Sequence, residues 1–146
     1  MNKINRILVF LASFIIIGCQ EKETLPCNLK VDNGITYSNG KVFTGSCHMI
    51  YENEFLWKTH TYKRGKLYKE ISYHIPEGSI DYIGYRDRDG IIHGDFVKYF
   101  KNGNTELEGQ IIKGYYDGDW QYYNEEGELT KEITWDMGTE VDSIIY

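Results

Sequence analysis

Proline is scarce in this chain: of 146 residues only Pro26 and Pro76 lack a backbone donor. Nothing in the body of the sequence therefore interrupts a β-ladder. Apolar stripes of helical period are missing beyond the N-terminal segment, so little or no helix is expected in the domain. Lys and Arg never form a run, and the formal net charge is −6, a balance that disfavours nucleic acid and anionic lipid as partners.

Signatures of chemistry are missing too. His48, His60, His74 and His93 fall in different registers without short ligand spacing, so no metal is expected. "DRDG", Asp87 to Gly90, begins like a calcium loop. Ile91, Ile92 and Lys98 then stand where such a loop needs an oxygen ligand, a Gly and a bidentate Glu. Ser38, Ser46, Ser72, Ser79 and Ser143 lack the flanking glycines of a nucleophile elbow, and the glycines are spaced for turns rather than clustered around a phosphate. Asp95, Asp117 and Asp119 recur with the turns, as structural Asx residues do and a catalytic pair does not. Neither enzyme activity nor a cofactor is expected.

What is present starts with a segment outside the domain. Met1 to Arg6 is polar and carries Lys3 and Arg6, and Ile7 to Ile17 is apolar apart from Ser13. A charged start and about eleven apolar residues suit a secretory signal and are too few to span a bilayer. The closing "IIGC", Ile16 to Cys19, resembles the lipobox of bacterial lipoproteins. That resemblance implies a signal peptide over residues 1–18, a diacylglycerol on the Cys19 thiol and a membrane reached through lipid. "QEKE", Gln20 to Glu23, lacks the Asp that resembles an inner-membrane retention signal, which favours the outer membrane of the cell envelope. Residues 19–36 read as lipidated Cys and tether, and 37–146 as the domain. Loss of Lys3 and Arg6 takes the formal charge from −6 to −8.

Cys27 and Cys47 are left as an even pair in an oxidising compartment. A disulfide between them would close a loop of about twenty residues and contribute about 3 kcal/mol. Two free buried thiols are the alternative.

The rest of the chain is a repeat. Gly65, Gly90, Gly114 and Gly138 are spaced 25, 24 and 24, Gly45, Lys69, Gly94 and Gly118 form a second row, and Gly78, Gly103 and Gly127 a third. In the earliest unit Glu54 stands where that third row calls for Gly. Between the glycines the hydrophobic period is two. Leu107 and Ile111 oppose Glu106, Glu108 and Gln110, while Leu129, Ile133 and Trp135 oppose Thr130, Glu132, Thr134 and Asp136. Such strands, joined by "KNGN", "NEEG" and "IKGYYDG", predict an all-β fold: an open antiparallel meander of repeated β-hairpins with a period of about 24. One spacing resists a flat strand. Phe96 and Tyr99, like Trp120 and Tyr123, are three apart, so either a bulge intervenes or both faces carry aromatics.

The stretch "HGDFVKYFKNGNTELEGQIIKGYYDGDWQYYNEEG" resembles the bacterial variant of the MORN repeat, as found in the YwqK-like antitoxin family. Gly94, Phe96, Tyr99, Gly103, Gly114, Gly118, Trp120, Tyr123 and Gly127 occupy the unit's places, with cover over residues 41–138. The resemblance implies an open hairpin sheet used for contacts with other molecules, and it carries over no catalytic residue. It also implies an alternative role, an antitoxin or immunity protein neutralising a periplasmic or delivered toxin.

Aromatic residues make up 15% of the chain, and Tyr115, Tyr116, Trp120 and Tyr122 crowd the last full unit. They read either as a hot-spot surface for a partner or, the preferred reading, as cross-strand packing. The expected function is a non-enzymatic envelope lipoprotein whose sheet binds or scaffolds another envelope protein, a glycan being the less favoured partner.

Overall fold

A computed structural model describes residues 27–50 and 54–146. Cys19, the signal segment and the first part of the tether lie outside the described residues. Every regular element among those residues is a strand. β1 (Lys30–Asp32), β2 (Ile35–Ser38) and β3 (Lys41–Val42) form a small ribbon. β4 (Gly45–Ile50), β5 (Leu56–Lys63), β6 (Lys66–Tyr73), β7 (Ile80–Tyr85) and β8 (Gly94–Tyr99) open the main sheet. β9 (Thr105–Ile112), β10 (Tyr115–Tyr123), β11 (Leu129–Asp136) and β12 (Thr139–Ile145) complete it. These nine strands pair antiparallel in strict sequence order, which is the all-β hairpin meander expected. The ribbon differs from expectation. It starts at Lys30 inside the stretch read as tether, because Asn33–Gly34 and Asn39–Gly40 both take the paired positive φ that closes a two-residue hairpin.

The two ends of the sheet use different turns. Arg64–Gly65, Lys113–Gly114 and Met137–Gly138 repeat the paired positive φ of the tight hairpins at one end. At the other end the loops are longer and organised by side chains. Asn102 Oδ1 accepts from the Asn104 N–H at 2.9 Å, and Asn124 Oδ1 from the Glu128 N–H at 2.8 Å. Glu54, the residue standing in the glycine row, adopts φ 66, a positive φ like those of Gly78, Gly103 and Gly127.

The tight-turn end also seats the ribbon. The Thr36 N–H donates to the Gly65 carbonyl at 2.8 Å and the Gly65 N–H to the Phe43 carbonyl at 2.7 Å. Gly65 has φ 76, and a Cβ there would come within 2.6 Å of Ile35, so only glycine lets the ribbon approach this closely.

A single-layer sheet has little interior, and one lateral row carries three of the four buried apolar side chains among the described residues. Successive partners across β4 to β12 are Cys47, His60, Glu70, Gly84, Phe96, Gly109, Trp120, Ile133 and Ser143. Large side chains on β8 and β10 lie over glycines on β7 and β9. Gly84 meets the Phe96 ring, and Gly109 lies beneath the Trp120 indole. Trp120 is wholly buried, and its indole N–H donates to the Gln110 carbonyl at 3.1 Å.

Its position follows from slack in β10. That strand advances four residues from Asp117 to Gln121 while β9 moves two, from Gln110 to Glu108. Further register shifts fall between Lys98 and Tyr99 and between Tyr122 and Tyr123. Both branches of the aromatic-spacing question therefore occur together: there is a bulge, and Tyr123 reaches Glu108 and Gln121 on the face away from Trp120.

Candidate functional site

On β6 the row meets an exception. Glu70 occupies the place that Phe96 and Trp120 fill on β8 and β10, and at 7% exposure it is a buried acid. Its neighbours are chosen by pleat: His60 is its partner on β5, Lys58 lies two residues away on the same face, and Tyr82 stands on β7 opposite Ser72. Lys58 Nζ donates to Glu70 Oε1 at 3.0 Å, and the Tyr82 hydroxyl donates to the same oxygen. His60 Nε2 lies 2.8 Å from Oε2, and Arg86 Nη2 lies 3.9 Å from it.

Burial alone would push the Glu70 carboxyl up. Donation from Tyr82 and Lys58, with the charges of Lys58 and His60, outweighs that and holds it below the usual carboxylate range. Burial pulls the other way on Lys58, whose ammonium is nevertheless held above its ordinary value by Glu70 and Tyr82. The Tyr82 hydroxyl is raised by burial and by its bond to Glu70, and that of Tyr62 by burial and the Glu70 charge. Glu70 is thus an ionised counter-ion with both oxygens engaged.

Arg86 links this cluster to a cleft of about 870 Å3 at the tight-turn end. The cleft opens beside the ribbon, between the β5–β6 hairpin and Arg86–Arg88 of the β7–β8 connection, with Ile35, Leu67 and Tyr68 among its lining residues.

Further along the same end an apolar ridge crosses three successive connections. Ile91 is 44% exposed, Tyr115 55% and Met137 45%, with Ile92 beside them. They are contiguous: Ile91 lies 3.5 Å from where a Cβ on Gly114 would sit, and Tyr115 2.9 Å from one on Gly138. The backbone ties these connections together, the Gly114 N–H donating to the Ile92 carbonyl at 2.9 Å and the Gly138 N–H to the Tyr116 carbonyl at 2.8 Å.

The aromatic residues singled out from the sequence divide accordingly. Tyr115 is on the ridge, and Tyr116 stacks on Trp120 with centroids 3.9 Å apart. Tyr122 is half-buried, and burial raises its hydroxyl above the ordinary value. Trp120 belongs to no surface: of the two readings it takes cross-strand packing and not the possible binding surface, because the β10 bulge turns it onto Gly109. The structural aspartates also separate. Asp117 Oδ1 caps the last turn by accepting from the Met137 N–H at 3.2 Å, whereas Asp95 and Asp119 make cross-strand bonds to Gln110 and Thr134. Asp87 takes the local Asx role, accepting from the Asp89 and Ile91 N–H groups at 2.9 and 3.0 Å. The four histidines go to four separate places: His48 to Thr59, His60 to Glu70, His74 to the Tyr99 carbonyl and His93 to the Lys113 N–H.

Cys27 and Cys47 form a disulfide-capable pair, with Cα atoms 5.6 Å apart.

No family model matches this chain, and no curated protein matches it either. What the protein does is left to its geometry.

Proposed function

We propose that this protein is a non-enzymatic binding module of the bacterial cell envelope, lipidated at Cys19 and held at the outer membrane in preference to the inner. Its hairpin sheet, read as MORN-like, engages another envelope protein. The observation that carries this reading is the ridge of Ile91, Ile92, Tyr115 and Met137, an apolar and aromatic strip on turns that are locked together by backbone hydrogen bonds. Rigid exposed aromatic and aliphatic side chains lose little entropy on docking and suit a protein partner. A non-enzymatic role is supported by Glu70, the buried acid of the sheet, whose oxygens are already taken by Lys58, Tyr82 and His60.

A photo-cross-linking residue placed at Tyr115 in cells should trap one discrete envelope protein, while the same residue at Glu126, on the opposite end of the sheet, should not. Equal trapping at both positions, or none at Tyr115, removes the ridge as the docking surface.

Within the same proposal Cys27 and Cys47 are bridged, tying the tether to β4. Labelling of the denatured, non-reduced protein with a thiol reagent should leave both blocked, and modification of both would mean that the pair is reduced.

A further inference from the structure

Although the sequence holds no basic run, the fold makes one. Lys63, Arg64, Lys66, Arg86 and Arg88 all line the cleft beside the ribbon, against one carboxylate, Asp87. Asp87, whose Oδ1 is bonded to the N–H groups of its own turn, offsets one of the five charges and leaves the lining cationic. Among the described residues Lys63, Arg64, Lys66 and Arg88 form no ion pair.

Two of the five are held in position. Lys63 Nζ sits 3.4 Å from the centre of the Tyr68 ring, a cation–π contact that keeps the ammonium at the cleft. The Arg86 guanidinium is fixed from behind, by the Gly90 carbonyl at 3.1 Å and by Glu70, with its side chain 26% exposed. An ordered arginine fork suits phosphate and carboxylate geometry.

We propose that this cleft binds a compact organic anion carrying at least two phosphate or carboxylate groups. The cations would take its oxyanions and the Ile35 and Leu67 side chains its carbon body. Its volume of about 870 Å3 is that of a small-molecule site. A long polyanion does not fit the molecule, whose full chain has net charge −6 and which carries Glu54, Glu77, Glu125, Glu126 and Glu128 in the loops at the far end of the sheet. This site is separate from the apolar ridge and stands or falls independently of the protein partner.

The test is calorimetric titration of the full-length protein in detergent with pyrophosphate and, separately, with citrate, at about 0.15 M salt, where weak surface attraction is screened. Saturable binding of at least one probe is expected, with the preferred one reporting phosphate or carboxylate as the natural group. The paired substitution Arg64→Asn with Arg88→Ser should weaken it by at least about tenfold, since both side chains are exposed contributors to the oxyanion contacts. Asn tolerates the positive φ of position 64, and Arg88→Ser alone should show a smaller loss in the same direction. Lys41→Ser, a cation removed from the ribbon outside the cleft, should leave affinity unchanged. No saturable binding of either probe, equal affinity in the paired variant, or association only with phosphatidylglycerol vesicles would each overturn the proposal.

Discussion

Glu70 is the residue on which the most unlike side chains converge, and it was illegible in the sequence for a specific reason. Aligning the repeats by their glycines pairs Lys69 with Gly94 and Gly118, which puts Ile71 in the aromatic slot. The folded sheet puts Glu70 there instead, one residue away and therefore on the opposite face. Only pairing with β5 and β7 could reveal that Lys58, His60 and Tyr82 surround it. Glu70→Ala would leave Lys58 and Arg86 without their shared counter-ion and should cost about 3 kcal/mol at neutral pH. Adding Lys58→Met should restore part of that loss. The acid response has a definite sign. The folded carboxyl sits below its unfolded value, so its stabilising contribution is present above the ordinary carboxylate pKa and is lost as pH falls through the folded one. Denaturant midpoints of the wild type and Glu70→Gln should therefore converge as pH is lowered from neutral to about 3. A constant gap would mean that Glu70 acts by shape and not by charge.

At the scale of the element, hairpins and turns were readable because glycine spacing and period-two patterning are local properties. The tight turns at Gly65, Gly114 and Gly138 and the longer loops at Gly103 and Gly127 all fall where those signals stand. Bulges were readable only as a contradiction, Trp120 and Tyr123 being three apart. Their resolution depends on how much β10 slips against β9, which no single strand encodes. The same slip is what buries Trp120. It also makes Gly109 and Trp120 a matched pair, because a Cβ on Gly109 would overlap the indole. Trp120→Ala should cost about 4 kcal/mol. Gly109→Ala alone should also destabilise, whereas in the Trp120→Ala background the added methyl should be neutral or stabilising. Strict additivity in that double-mutant cycle would show that the two do not share the space.

Across the whole molecule, strands pack chiefly against the strands next to them in sequence, so stability is a sum of neighbour terms rather than the property of one central core. Three of the four buried apolar side chains, Ile111, Trp120 and Ile133, lie on β9, β10 and β11, the fourth being Cys47 on β4, and every residue of β12 is exposed. Amide hydrogen exchange should be slowest in β9 to β11 and fastest in β12 and the ribbon, and uniform protection across the sheet would contradict neighbour-only stabilisation. The charge layout belongs to this scale as well. An overall acidic composition described the average correctly and concealed the cationic cleft, because its arginines and lysines come from two connections that only the meander brings together. Strict sequence order in the sheet also has a metric consequence. With Cys27 beside β4 at one margin and the Tyr115 ridge toward the other, each two-strand unit inserted between them would move one from the other by about 10 Å. In the proposed anchored protein the number of hairpins is a gauge, setting how far from the membrane attachment a partner is held.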